Sequence, residues 1–325
     1  MKFILKRLGF YLIAFWAALT LDFIFPRLLP GDPATAVLGP AADRMTAAQI
    51  EALRQALGLV NNAPILQQYF TYVAHVFQLD FGLSYANFPA PVTSVIATGF
   101  AWTILLGLTS LLISVVVGHL VGIIGAWRRN SFFDIVVPPL FNFIGAFPAF
   151  FIGLGVLYLF GMNLGWFPIA HAYEDMMTPA FTPEFFGSVL VHLVMPVATS
   201  VLVTVTIWTQ MMRNTMISVL AEDYITMAEA KGLSQNRIMF NYAARNAILP
   251  SVTGFGVFFG SILSGQVLIE TVFSYPGLGF LLVRAVGARD YPLMQGLFLG
   301  ITTGVLILNF LVDILYTVID PRIRN

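Results

Sequence analysis

Four ionisable side chains, Asp22, His119, Glu270 and Asp313, fall within or at the edges of long apolar runs. Charge at membrane depth is costly, so each is a candidate for function before it is a candidate for packing. Asp22 and Glu270 lie toward the outer ends of their runs, where water reaches them. Gln266 stands one turn before Glu270, and these three are the groups expected along a polar path through the apolar phase. Asp313, at the opposite end of its run, is placed to pair with a base, and His119 reads as a neutral packing histidine. A proton relay needs several acids or histidines stacked through the midplane, which this pattern does not supply. His75, His119, His171 and His192 are scattered without a His-x-x-x-His pair, so no metal centre is expected. The absence of cysteine removes disulfides, thiolate metal sites and a thiol nucleophile. ATP hydrolysis needs a glycine loop ending in Gly-Lys-Ser or Gly-Lys-Thr, and none of Lys2, Lys6 and Lys231 follows a glycine. The chain is therefore not expected to be an enzyme or its own motor.

The one long interval that is not apolar runs from Met212 to Ala247 and carries Arg213, Glu222, Asp223, Glu229, Lys231, Arg237 and Arg245. It reads as two short helices joined at Lys231-Gly232-Leu233-Ser234. Met227, Ala228 and Ala230 favour helix, Gly232 suits the left-handed position that ends one, and Ser234 is placed to accept backbone hydrogen bonds as the next begins. Pro250 marks the turn into the following run. Such an interval is either a surface-lying helical pair or a docking element.

These groups must be positioned by membrane-spanning helices. Of 325 residues, 58% are hydrophobic and 10% charged, against about 25% charged in soluble domains; mean hydropathy is +0.85. Zero net charge makes a nucleic-acid partner unexpected. Crossing about 30 Å of hydrocarbon takes about 20 residues. Six apolar runs meet that length, near 8–28, 99–127, 132–161, 188–211, 250–273 and 294–318. The first is too long for a secretory signal and lacks a small-x-small cleavage site, so it reads as a retained span. With both termini cytosolic, eleven of the sixteen Lys and Arg residues fall on the cytosolic side; Arg27, Arg44, Arg54, Arg284 and Arg289 fall outside.

The segment outside the first span has helical structure of its own. Thr46 with Gln49 forms a capping box, Ile50, Leu53 and Leu57 share a helical face, and Gly58 stops it. A second helix starts at Pro64 and carries Ile65, Tyr69, Tyr72, Val73 and Val76 inward. Pro138, Pro139 and Pro148 should kink the third span. In the fifth, Gly256, Gly260 and Ser264, with Gly265 adjacent, form a stripe suited to close helix packing.

The run Glu222-Asp223-Tyr224-Ile225-Thr226-Met227-Ala228-Glu229-Ala230-Lys231-Gly232-Leu233, with Ala244-Arg245-Asn246-Ala247-Ile248-Leu249-Pro250 after it, resembles the cytosolic coupling loop of the membrane subunits of binding-protein-dependent ABC importers, in the form of the peptide and nickel branch. The resemblance covers nearly the whole chain. It includes Leu29-Pro30-Gly31-Asp32-Pro33, Leu53-Arg54-Gln55-Ala56-Leu57-Gly58-Leu59, Asp80-Phe81-Gly82-Leu83-Ser84, Phe147-Pro148, Leu164-Gly165-Trp166-Phe167-Pro168 and His192-Leu193-Val194-Met195-Pro196. Toward the end come Glu270-Thr271-Val272-Phe273-Ser274-Tyr275-Pro276-Gly277-Leu278-Gly279, Arg289-Asp290-Tyr291-Pro292 and Asp320-Pro321-Arg322-Ile323-Arg324. Each match is short, but their order and spacing together are specific. Glu229 departs from the basic residue common in the branch before Ala-Lys-Gly.

The resemblance implies an all-α integral membrane protein of the cytoplasmic (inner) membrane with six transmembrane helices. It comprises the N-terminus and first helix (1–28), an external helical subdomain (29–98) and a five-helix core (99–325) containing the cytosolic coupling loop, 212–249. Expected partners are a second homologous permease, two ATP-binding subunits, an external solute-binding protein and the lipid membrane. No cofactor is expected in this chain, ATP and Mg being held by the ATPase subunits. Glu222, Asp223, Tyr224, Ala228, Glu229, Ala230, Lys231, Gly232 and Leu233 would form the element that couples to an ATPase. The cargo implied is a dipeptide or oligopeptide; the same machine carrying nickel or an oligosaccharide is the alternative. An ATP-independent secondary transporter, or a membrane scaffold or sensor, is the reading from another class.

Overall fold

The computed structural model describes residues 2–28, 45–56, 63–251, 254–255, 258–259, 262 and 266–319. The regular structure among them is helical, with one isolated β-bridge from Leu83 to Pro91. In chain order the helices are α1 (Lys2–Leu28), α2 (Ala47–Ala56), α3 (Ile65–Phe77), α4 (Val92–Trp127), α5 (Phe132–Gly145) and α6 (Ala149–Val156), which runs into a π-helical turn, Leu157–Asn163. Then follow α7 (Pro183–Leu220), α8 (Asp223–Ala230) and a helical stretch made of Gln235–Arg237, a π-helical Ile238–Ala244 and Arg245–Ala247. The last are α9 (Val267–Val272), α10 (Leu278–Ala288) and α11 (Tyr291–Ile319).

Helices α1, α4, α7 and α11 each contain a segment long and apolar enough to cross a membrane. The third expected span is not one helix: α5 and α6 meet at 103°. The turn falls at Phe147-Pro148 rather than at Pro138-Pro139, which α5 carries through its interior. Pro148 occupies the N-cap of α6 and disfavours helical geometry at Phe147, so the chain breaks there. Nine of the 24 residues in the expected span near 250–273 lie outside the described residues. So do the Gly256, Gly260, Ser264 and Gly265 stripe, the motifs at 29–33 and 320–324, and Leu57-Gly58-Leu59; the side chains of Ile50 and Leu53 are likewise outside.

The chain forms two compact units, Met1–Thr103 with Pro276–Thr317 and Ile104–Tyr275, and α4 contributes to both. In the first, α3 packs on α1 through Val73 and Val76 against Leu19, with Leu299 of α11 completing the cluster. Ile65, expected to face inward with them, is 67% exposed. Gln68 meets Arg27 near the end of α1, so Ile65, a turn earlier on α3, lies past the last described turn of α1. The capping box forms as expected: the Gln49 amide donates to Thr46 Oγ1 at 3.4 Å and the Thr46 amide to Gln49 Oε1 at 2.9 Å. Asp313 finds its base in Arg7, at 3.3 Å, and also accepts from the Tyr11 hydroxyl at 2.7 Å.

Asp290 ties the loop before α4 to the start of α11. Its fully buried carboxylate accepts from Ser84 Oγ at 2.6 Å, the Ala86 amide at 2.9 Å and, as N-cap of α11, the Leu293 amide at 3.1 Å. Burial first, then the Asp290 charge, push the Tyr85 phenol up to about 12.

In the second unit α4 lies close against α7. A Cβ added at Gly118 would stand 2.5 Å from Trp208 Cβ, and one at Gly122 would stand 2.8 Å from Met212 Cβ, so only glycine permits this approach. His119 on the same helix packs its ring near Trp208 and donates Nδ1–H to the Val115 carbonyl at 2.7 Å, the packing role expected of it. Helix α5 is stitched to α7 by three polar contacts. Arg213 makes a two-pronged bond to Asp134 (2.7 and 3.0 Å), Gln210 donates to Asn142 (2.6 Å) and Thr206 donates to the Phe141 carbonyl (2.6 Å).

Candidate functional site

Helix α8 begins after Glu222, with Asp223 in the first turn where the helix dipole favours an acid. It ends in a Schellman arrangement: the Gly232 amide donates to the Glu229 carbonyl at 2.8 Å and the Leu233 amide to the Ala228 carbonyl at 3.4 Å. Gly232 sits at φ +69°, the left-handed conformation that glycine adopts without a Cβ penalty. Ser234 does stand at the next N-cap, but its side chain makes no capping bond.

One face of α8 is anchored. Ile225 and Ala228 are buried among Ile123, Met212, Met216, Ile238 and Ala243, and Leu233 packs at the edge. Burying Ile225 alone stabilises the docked helix by roughly 1.5–3 kcal/mol. Met212 and Met216 belong to α7, which extends through Leu220, beyond the expected span end at 211. That extension is the platform on which α8 rests. Asn246 pins the other end, donating to the Tyr224 hydroxyl at 3.2 Å and the Tyr242 carbonyl at 2.8 Å.

The opposite face is open to solvent and presents Glu222, Asp223, Tyr224, Met227, Glu229, Ala230, Lys231 and Gly232. Of the residues singled out in the sequence, Ala228 points into the chain's own core and Leu233 is half-buried. Met227, at 59% exposed, belongs to the open face as well, though it was singled out only as a helix former.

The three expected path residues divide between the units. Gln266 occupies the N-cap position of α9 and accepts from Ser200 Oγ of α7 at 3.1 Å, and the Glu270 amide donates to the Gln266 carbonyl at 2.8 Å. Asp22 lies in the other unit, accepting from the Tyr72 hydroxyl at 2.8 Å. Neither carboxylate is open to water as expected: Asp22 is 4% exposed and Glu270 fully buried. Helix α3 covers Asp22 through Tyr72, while α9 is packed against α6 and α7. Burial first, then the Glu270 charge, hold the Tyr275 phenol well above its ordinary range.

Residues 114–325 match the family model described as binding-protein-dependent transport system inner membrane component. The chain belongs to this family. Over its full length it is similar to a glutathione transport system permease protein of Salmonella typhi, 36% identical over 325 residues covering 100% of this chain and 99% of the relative. It is similar to that of Escherichia coli strain K12 at 35% over 324 residues with the same coverage. A di/tripeptide transport system permease protein of Pseudomonas aeruginosa strain UCBPP-PA14 is 36% identical over 340 residues, again covering 100% and 99%. The protein is thus a multi-pass inner-membrane permease of the ABC importer class, and the matched region contains α8, Gln266 and Glu270 but not Asp22.

The permease also carries a polar cluster of which sequence reasoning singled out only Arg213. Asp134, Asn142, Gln210, Arg213 and Asn214 line a cleft of about 400 Å³ between α5 and α7. Ser131 and Asp134 have capping-box spacing, and the Asp134 amide does donate to Ser131 Oγ at 3.4 Å, a signal that could have placed Asp134 at a helix start. Gly118-x-x-x-Gly122 was likewise a readable packing motif.

Proposed function

We propose that this permease imports short peptides handed over by an external solute-binding protein, and that it receives the energy through α8 from a partner ATP-binding subunit. The observation that carries the reading is the two-sided construction of α8: one face locked to the core, the other presented to solvent with its end fixed by Gly232. A helix held that way transmits a push as a rigid body. In this reading two ATP-binding subunits, which also hold ATP and Mg, draw together on nucleotide. They move α8 and its counterpart on a second homologous permease, and the spans pass from inward-facing to outward-facing. Glu222, Asp223, Tyr224, Glu229, Ala230, Lys231 and Gly232 would make the contact, with Ala228 and Leu233 acting as its anchor from behind. Both termini and α8 are assigned to the cytosol from the distribution of Lys and Arg.

Peptide cargo is supported by the relatives, whose names specify glutathione and di- or tripeptides. Gln266, Glu270 and Asp22 are assigned to the path as buried polar groups within the spans, acting where the inward- and outward-facing forms differ. The test is ATP hydrolysis by the purified assembly in lipid, with its binding protein and a panel of short peptides including glutathione. Stimulation by peptides, lost on Gly232→Val, is the expected result. Stimulation by nickel or an oligosaccharide instead would change the cargo. If no ATPase subunit co-purifies and uptake follows an ion gradient, the proposal is overturned.

A further inference from the structure

We propose that the cleft between α5 and α7 binds the main-chain amides of the peptide in transit, with Asn142, Gln210 and Asn214 as its contacts; this rests on the importer reading above. The starting observation is a mismatch. Both helices carry segments long and apolar enough to cross a membrane, α5 as half of the bent pair, yet Asn142 and Gln210 are exposed on their surfaces, and Asn214, a turn past the expected span end at 211, continues the row. Hydrocarbon offers carboxamides no hydrogen bonds, so a face that displays two of them within the apolar runs looks onto water or a polar ligand.

The chemistry left over is that of a peptide bond. Each carboxamide has two N–H donors and an oxygen with two acceptor sites. The 2.6 Å bond from Gln210 Nε2 to Asn142 Oδ1 consumes one donor and one acceptor site. Both Asn142 N–H groups, one acceptor site on its oxygen, and the Gln210 oxygen with its second N–H are left by that bond. Pro138 and Pro139 line the same cleft. Lacking N–H groups, they remove the usual helical donors to the carbonyls of Asp134 and Ile135. The charges are cancelled within the wall, because Arg213 is engaged by both oxygens of Asp134. A neutral wall of mixed donors and acceptors recognises a peptide backbone without selecting side-chain charge.

The absence of native cysteine makes the test direct. In the complete assembly in liposomes, N142C should react with a small water-soluble methanethiosulfonate, and trialanine with its binding protein should slow that reaction at least tenfold. Leu140→Cys, at an apolar position two residues away, should not react. N142L should raise KM for tritiated trialanine uptake about tenfold, and N142Q, which restores a carboxamide, should bring it back within threefold. Reaction of N142C only after the permease is separated from its partner would make this face a subunit interface and overturn the assignment. Labelling unaffected by trialanine, or an unchanged KM in N142L, would also overturn it. If the unaltered assembly takes up no peptide at all, it is the importer reading that fails; if it does and N142L behaves identically, only the cleft assignment fails.

Discussion

Asp290 accepts from a hydroxyl and an amide more than two hundred positions away and from an amide in its own helix. Removing it in D290A forfeits a helix cap worth about 1 kcal/mol and leaves two donors without their acceptor at about 1–3 kcal/mol each. The melting temperature of the detergent-purified permease should fall clearly for D290A and less for D290N, whose oxygen can still cap. Asp134 gives a second case: R213M strands a carboxylate whose side chain is only 4% exposed. Asp134 keeps the Asn130 amide at 3.1 Å, so the expected cost is about 1.5–3 kcal/mol, with much of it regained when Asp134 is replaced by leucine as well, read by the same thermal unfolding. A group whose partner is close in sequence, as Thr46 is to Gln49, was legible because a helical turn fixes the separation. Asp80-Phe81-Gly82-Leu83-Ser84 and Arg289-Asp290-Tyr291-Pro292 were each visible as motifs, but no spacing rule joins Ser84 to Asp290. Burial of Asp22 and Glu270 was misjudged for the same reason, since their cover comes from other helices.

Helix α8 was readable in its stop and its charged face, because helix formers followed by glycine describe both locally. Open space surrounds Gly232, so a substitution there acts through conformation rather than collision. G232V must hold a β-branched residue in left-handed geometry at a cost of about 1–2 kcal/mol. G232N, which tolerates that region, should retain most of the peptide-stimulated ATPase that G232V loses, measured on assemblies of equal subunit composition. The end of α7 was not readable from hydropathy: Met212 to Leu220 stays helical because Met212 and Met216 are buried beneath α8, not because that stretch is lipid-soluble. The break between α5 and α6 was expected at Pro138, Pro139 and Pro148 together, and it falls at Pro148 alone. A proline pair inside a helix and a single proline at its start read alike in one dimension.

At the scale of the whole molecule, composition alone established a membrane protein, and helix lengths followed from the thickness to be crossed. What composition does not contain is that the chain returns at Pro276 to complete the unit it began with. The charge distribution yields a topological prediction: a fluorescent protein fused before Met1 or after Asn325 should fluoresce, and alkaline phosphatase fused at either point should be inactive. Tyr11 and Asp313, 302 positions apart, share a hydrogen bond, and Arg7 joins them. At roughly 5–20 residues per second, about 15–60 s of translation separates the emergence of the two from the ribosome. Throughout that interval the newborn first helix stands in the bilayer with a guanidinium and a phenol that have not met their acid. A premature stop codon anywhere before Asp313 makes that interval permanent, and the membrane's quality-control proteases should clear such a product faster than the finished chain.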